Sequence, residues 1–334
     1  MKKEKVIIIG AGLSGLYTAY LLQETHDVIV IEARERIGGR VCSLGGHDMG
    51  PSWVWGHQKH ILALIDSLGL EIFEQYTKGL ALYDAPEGVQ KFEAPPSATS
   101  YRVKGGIIAI IKALEKTLYS PVKLNESVTS LIEKGSMIVV ETDKGTYTVD
   151  KVVSTLPPRL AVQSINYTPS LSQELQTQLQ NIPTWMGYAA KCVIEYERAF
   201  WKEEGLSGFT FSHLGPLGEI HDTTTEDKHA LFGFVHSYAE YKNIEENIIK
   251  QLTRLYGTKA STPRNIYMID WKKEIFTSTS LDAEPLREHP SYGFDGTHFE
   301  GKIIYSGTEC AFREGGYLEG ALISAIQCVK RLSI

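Results

Sequence analysis

The hexapeptide Gly10-Ala11-Gly12-Leu13-Ser14-Gly15 constrains this chain more than any other stretch. Before it stands Val6-Ile7-Ile8-Ile9, a fully apolar run of the kind found in a central parallel strand. After it, Leu13, Leu16, Tyr17, Tyr20 and Leu21 recur at helical spacing, which predicts a helix over Leu13–Leu22. Val28–Ile31 reads as a second strand, so residues 6–31 form a βαβ unit. In that context the glycines have separate tasks. Gly10 permits the tight turn, Gly12 lets a pyrophosphate approach the backbone, and Gly15 lets helix and strand pack closely. The helix N-terminus offers unpaired N–H groups and the positive end of its dipole to the phosphates. Glu32 follows Gly10 by 22 residues and can accept both ribose hydroxyls. It would repel a 2′-phosphate, so NADP is not expected here. A bound dinucleotide is the reading; NAD and FAD stay open at this point.

Length and composition bound the rest. The chain has 334 residues, which suggests about two domains of ~150 residues. Apolar residues make up 43% and charged residues 22%, the profile of an ordinary soluble globular protein rather than a disordered chain or a disulfide scaffold. The formal net charge of −6 argues against non-specific nucleic-acid binding and against docking to anionic membranes. No apolar stretch approaches the ~18 residues needed to span a bilayer. The start Met1-Lys2-Lys3 runs into glycine and serine too soon for a signal peptide, and Leu332-Ser333-Ile334 is no tail anchor. Cys42, Cys192, Cys310 and Cys328 lack metal spacing and are expected as buried thiols in a reducing cytoplasm. The scattered histidines give no metal pair; no metal is expected.

Further along, helices are predicted over Ile61–Leu68, Ile107–Leu118, 170–182, Ile244–Tyr256 and Tyr317–Leu332. Strands are predicted at Leu80–Tyr83, Gln90–Phe92, Met137–Thr142, Thr146–Val149, Val152–Thr155, Ala190–Tyr196, Ala230–Val235 and Lys302–Ser306. The 260–264 stretch reads as a loop within a domain.

The run Glu32-Ala33-Arg34-Glu35-Arg36-Ile37-Gly38-Gly39-Arg40 adds a second glycine pair and a cation beside the first site, which suits a second diphosphate contact along an extended FAD. With the fingerprint before it, this run resembles the FAD signature of the flavin-dependent amine oxidase superfamily. Further blocks resemble that family in order. Asp48-Met49-Gly50-Pro51-Ser52-Trp53 resembles the loop against the flavin, and Val103-Lys104-Gly105-Gly106 the block that re-enters the FAD domain. Val128 matches the position holding the adenine through its backbone, and Ser154-Thr155-Leu156-Pro157-Pro158 a strand end beside the cofactor. Ser306-Gly307-Thr308-Glu309 and Gly315-Gly316-Tyr317-Leu318-Glu319-Gly320-Ala321 resemble the closing FAD motif.

The resemblance implies an α/β fold with a Rossmann-like FAD-binding domain built from 1–71, 101–160 and 266–334, interleaved with a smaller substrate domain built from 72–100 and 161–265. It implies non-covalent FAD bound by Gly10, Gly12, Leu13, Ser14, Gly15, Glu32, Ala33, Arg34, Gly39, Arg40, Gly50, Pro51, Ser52, Trp53, Val128, Gly307, Glu309, Tyr317 and Leu318. Lys191, in Gly187-Tyr188-Ala189-Ala190-Lys191-Cys192-Val193, resembles the lysine that holds a water near flavin N5, where a cation would assist O2 reduction. Trp271 resembles the tryptophan flanking the flavin ring, and Tyr317 one wall of an aromatic cage for the amine. Trp55 and His57 follow the flavin loop and are candidates for lining the pocket.

Three departures stand out. Phe276-Thr277-Ser278-Thr279-Ser280-Leu281 carries no cysteine to link the flavin and no second cage aromatic. Residues 72–100 stand where larger members have a long helical insertion, so the pocket is open or closed by a partner. Gly50-Pro51-Ser52 has no arginine to clamp an α-carboxylate. The implied activity is oxidation of an amine to an imine by hydride-equivalent transfer to flavin N5, with O2 or another acceptor reoxidising the flavin and H2O2 as the product with O2. Alternatives are dehydrogenation of a biosynthetic intermediate in the manner of a desaturase or protoporphyrinogen oxidase, and a flavoprotein completed by a partner chain. A homo-oligomer is among the expectations.

Overall fold

A computed structural model describes residues 3–332. The readings made at Met1-Lys2 and at Ser333-Ile334 fall outside them. The predicted βαβ unit is present: the strands Lys5–Ile9 and Asp27–Ile31 flank the helix Leu13–Leu22, and Ile7 pairs in parallel with Ile29. The sheet continues through Lys151–Ser154 and Ile303–Tyr305, both parallel, to a short antiparallel edge at Thr297–His298. Alternation explains why the last four residues of the first strand, Val6, Ile7, Ile8 and Ile9, are all apolar. Val6 and Ile8 face a helical layer with Leu16, Ile110 and Leu322, whereas Ile7 and Ile9 face a second sheet with Leu131 and Val140. Both faces being covered there, none of these four positions can be polar without a partner. The helical layer comprises Leu13–Leu22, Ile108–Thr117 and Leu318–Leu332. The second sheet has four strands in the order Thr146–Val149, Met137–Thr142, Val128–Lys134 and Asn166–Thr168.

A seven-stranded sheet forms the other half of the molecule, in the order Asn265–Asp270, Ala190–Tyr196, His229–Val235, Leu217–Asp222, Leu206–Ser212, Leu80–Ala85, Gly88–Phe92. One face carries Cys192, Ile194, Ile220, Leu231 and Leu82 against Ile248 and Leu252 of the helix Ile244–Tyr256. On the other face Val193 and Phe232 meet Met49 and Trp271. The helix Gln173–Asn181 packs Leu175 and Leu179 on the four-stranded sheet, and Asn265–Asp270 pairs along Ala190–Tyr196 in the seven-stranded one. Apolar spacing cannot reveal which sheet a strand joins. The strands at Ser100–Val103, Val128–Lys134, Leu206–Ser212, Leu217–Asp222 and Asn265–Asp270 were not read from the sequence, because polar and glycine residues interrupt their alternation.

The four cysteines are free and buried. Among the described residues no helix is long and apolar enough to cross a membrane, and no group of histidine, cysteine and acidic side chains is placed to hold a metal.

Candidate active site

A cavity of about 340 Å³ runs from the glycine turn to the seven-stranded sheet. Eighteen of the candidate site residues singled out in the sequence line it: Gly10, Gly12, Leu13, Ser14, Glu32, Arg34, Gly39, Arg40, Gly50, Pro51, Ser52, Trp53, Trp55, Lys191, Trp271, Gly307, Tyr317 and Leu318. Gly15, Ala33, Val128 and Glu309 do not reach its wall, and neither does the exposed His57. Gly15 lies beneath the turn, where a Cβ would stand 2.0 Å from the carbonyl oxygen of Gly10. Val128 is buried in the core between the sheets, and Glu309 is buried behind the wall.

The turn end fits a dinucleotide. A Cβ on Gly12 would meet nothing nearer than the Gly38 carbonyl at 4.0 Å, so the space beside this backbone is open to the cavity. The helix behind it has no side-chain cap, which leaves its first N–H groups free for an anion. The Glu32 carboxylate is buried and ordered by the backbone, accepting from Ala11 N and Arg34 N at 2.9 Å each. Arg34 reaches away, donating to Glu274 and to the Thr277 hydroxyl at 2.7 Å. Arg40 makes a two-pronged ion pair with Glu309, at 2.5 and 2.9 Å. Its guanidinium is thus held in place by Glu309, although that acid does not itself line the cavity.

At the sheet end, Lys191 is only 2% exposed. Its strand is interior to the sheet, between Asn265–Asp270 and His229–Val235, so an edge lysine facing water is excluded. Nζ donates to the Gly50 carbonyl at 3.0 Å and to Ser52 Oγ at 2.6 Å, and it lies 4.1 Å from the centroid of the Phe232 ring. Burial pushes the Lys191 ammonium down to about 7, opposed by the negative charge of Asp48 and reinforced by Arg102. Such a group exchanges a proton near neutral pH. Asp48 is held by Ile107 N at 2.9 Å, and burial raises its carboxyl. Trp271 is buried on the same side, its Nε1–H donating to the Met49 carbonyl at 3.2 Å.

Tyr317 precedes the helix Leu318–Leu332 and stands among other rings. Trp55 meets it edge-on at 5.6 Å, Trp185 lies at 6.3 Å, and His289 stacks parallel to it at 5.2 Å. Leu281, at the end of the Phe276-Thr277-Ser278-Thr279-Ser280-Leu281 run that carries no cage aromatic, is 60% exposed and outside the cavity wall. Trp185 lines the cavity instead and was not anticipated. Its backbone N donates to Glu309 and its carbonyl accepts from Arg40. The sequence signal was a tryptophan in the Pro183–Met186 loop just before the Lys191 strand. Phe232 and Phe234 were missed as well, and their alternation on His229–Val235 was the available signal.

A sequence profile described as flavin containing amine oxidoreductase matches residues 13–97 and 72–333. The chain belongs to this family. The amine oxidoreductase aligns at 24% identity with the probable flavin-containing monoamine oxidase A of Dictyostelium discoideum, covering 98% of this chain and 97% of that protein. It aligns equally at 24% with the flavin-containing amine oxidase A of Sus scrofa, over 95% of this chain and 82% of that one. In fold it matches wild-type putrescine oxidase bound to putrescine, with a TM-score of 0.85, 22% identity and 99% coverage of both chains. Cyclohexylamine oxidase from Brevibacterium oxydans gives a TM-score of 0.84 at 18% identity, covering 99% of this chain and 100% of that one. The Dictyostelium alignment extends over 452 positions against a chain of 334, and the two profile matches overlap at 72–97.

Proposed function

We propose that this flavin-dependent amine oxidoreductase binds FAD non-covalently along the cavity and oxidises an amine to an imine, with O2 as an acceptor of the electrons. The observation that carries this reading is the continuity of one cavity from the uncapped glycine turn to the buried Lys191. When bound, FAD supplies the two-electron chemistry that takes a hydride equivalent from the amine's α-carbon and hands the electrons on to O2. The chain supplies position and charge. The N–H groups behind Gly12 receive the pyrophosphate, and the oriented Glu32 carboxylate accepts from the ribose hydroxyls. Arg40, fixed by Glu309, places positive charge along the same wall. Thr277 and Phe276 line the cavity where larger relatives' pattern has a flavin-linked cysteine, and no thioether can form there. Trp271 walls one side of the ring site. Tyr317 with Trp55 and Trp185 orients the amine, because aromatic faces favour a nitrogen lone pair or cation. Lys191 holds a proton at Nζ near neutral pH, where it stabilises negative charge developing on reduced oxygen.

The FAD-binding unit comprises the five- and four-stranded sheets with the helical layer, and the substrate unit is the seven-stranded sheet with its helix. Four free, buried thiols are compatible with a reducing, cytoplasmic compartment. The family match does not favour a desaturase-like reading.

The purified protein tests this directly. It is expected to be yellow, to release intact FAD on acid denaturation, and to bleach when an amine is added without air. Air then restores the colour with formation of peroxide. A colourless protein that FAD cannot reconstitute overturns the cofactor, and a yellow protein that no amine bleaches overturns the reaction.

A further inference from the structure

The strand register of the seven-stranded sheet places one row of side chains across six strands. Lys191 pairs with Phe234, Phe234 with Glu219, Glu219 with Phe211, Phe211 with Tyr83, and Tyr83 with Gln90. Directly paired residues share a face, so this row lies on the face that carries Lys191 and Phe234 into the cavity. Phe211 is 42% exposed and Tyr83 37% exposed, while Lys191 at the other end is buried. Beyond the cavity wall, the same face therefore continues outward as a partly exposed strip of Glu219, Phe211 and Tyr83, with His213 against the last two rings. At ~4.8 Å per strand, Glu219 stands about 10 Å from Lys191 along it.

We infer that Glu219 anchors a second positive charge on the substrate, and that the preferred substrate is an extended dication whose far end lies on this strip. The inference rests on the amine-oxidation reading and adds to it the class of amine. Glu219 has 43% of its side chain exposed, and one oxygen accepts from His221 Nε2 at 2.5 Å. The other oxygen accepts no hydrogen bond from the described residues, so it is free for an incoming ammonium. The His221 hydrogen bond holds the carboxyl below the usual range, which keeps it ionised at neutral pH. Phe234 and Phe211 pair with it on the neighbouring strands, positions from which a ring can contact a cation held at the carboxylate. His221 stacks between Phe209 and Phe232 at 5.0 and 5.2 Å, and Trp53 meets its edge at 4.9 Å, which fixes the carboxylate's partner in place. Lys191 is the one lysine or arginine in the row, and it is committed to Gly50 and Ser52. A monoamine with an apolar tail would bury its tail against Phe234 and then meet the ionised Glu219. A dication satisfies both ends.

The test compares unbranched diamines with monoamines of equal length on the flavin-loaded enzyme, by steady-state peroxide formation. The wild type is expected to favour the diamine by about tenfold in kcat/KM, the gain from one half-exposed ion pair with a cation–π contact. Glu219→Gln is expected to bring the diamine-to-monoamine ratio close to one, chiefly through KM, with the visible spectrum retained. Phe211→Ala, at an exposed position, is expected to lower the ratio for the longer diamines, and it serves where Glu219→Gln does not accumulate. A wild type with no preference, or a ratio that neither variant moves, overturns the subsite and leaves amine oxidation standing. Failure of every amine to bleach the flavin overturns both.

Discussion

Lys191 is an ammonium held where water does not reach, and the cost of that position sets its behaviour. Two hydrogen bonds and a ring face replace its hydration, yet burial still lowers it to about 7 from an ordinary 10.5. The sign of the linkage follows. Between these values the folded chain holds the lysine neutral while the unfolded chain holds it protonated, so unfolding takes up a proton and stability rises with pH. Lys191→Met lacks this dependence. The difference in Tm between wild type and Lys191→Met is therefore expected to shift in favour of the wild type from pH 7 to pH 10. A change of a few degrees would be readable by calorimetry of the apoprotein. Parallel Tm profiles would mean that the buried lysine titrates normally. The same residue illustrates what a sequence carries at this scale. Its position in an apolar strand was visible, but the covering of that strand's face by Gly50 and Ser52 was not, and its exposure turns on that.

Helices meet at the site in a way no local pattern records. The helix Lys59–Ser67 has Gln58 at its N-cap and no side-chain cap of its own. Its cap comes from another element. Glu319, on the first turn of Leu318–Leu332, accepts from His60 N at 3.0 Å and from Ile61 N at 2.8 Å, and also pairs with the His60 ring at 2.7 Å. The carboxylate is buried, so it satisfies two orphan donors and the positive end of the dipole at once. Glu319→Ala is expected to cost ~1–3 kcal/mol, the penalty for leaving such groups unpaired, and Glu319→Gln less. Urea unfolding would measure it, and an unchanged midpoint in Glu319→Ala would sink the assignment. Element limits themselves were legible where apolar spacing was clean: Leu13–Leu22, Met137–Thr142, Ala190–Tyr196 and Ile244–Tyr256 have the expected bounds. Contacts such as Glu319 to Ile61, 258 residues apart, were not, because nothing in either helix alone requires the other. Trp185 belongs to the same class. It takes its place through the Arg40–Glu309 pair, which brings distant segments of the chain together.

The cavity makes the whole molecule one thermodynamic object. Its wall is drawn from the glycine turn, the Arg40–Trp53 stretch, the Lys191 strand, Trp271 and the start of the last helix. The ion pair between Arg40 and Glu309 spans 269 residues, and the Lys191 bond to Gly50 spans 141. A ligand that fills such a cavity touches both halves, so its binding energy is available to the native chain and to no partly unfolded form that has lost either half. At 100 times its dissociation constant a ligand stabilises the native state by about 2.7 kcal/mol. FAD added to apoprotein is therefore expected to raise the unfolding temperature by several degrees in one cooperative step. Far-ultraviolet circular dichroism, which reports the sheets and helices, and tryptophan fluorescence, which reports Trp53, Trp185 and Trp271 around the cavity, are expected to shift together. If the two signals part, with only one moving on addition of FAD, then the cofactor is held by one half alone. The seven-stranded sheet would then be an independently folding unit.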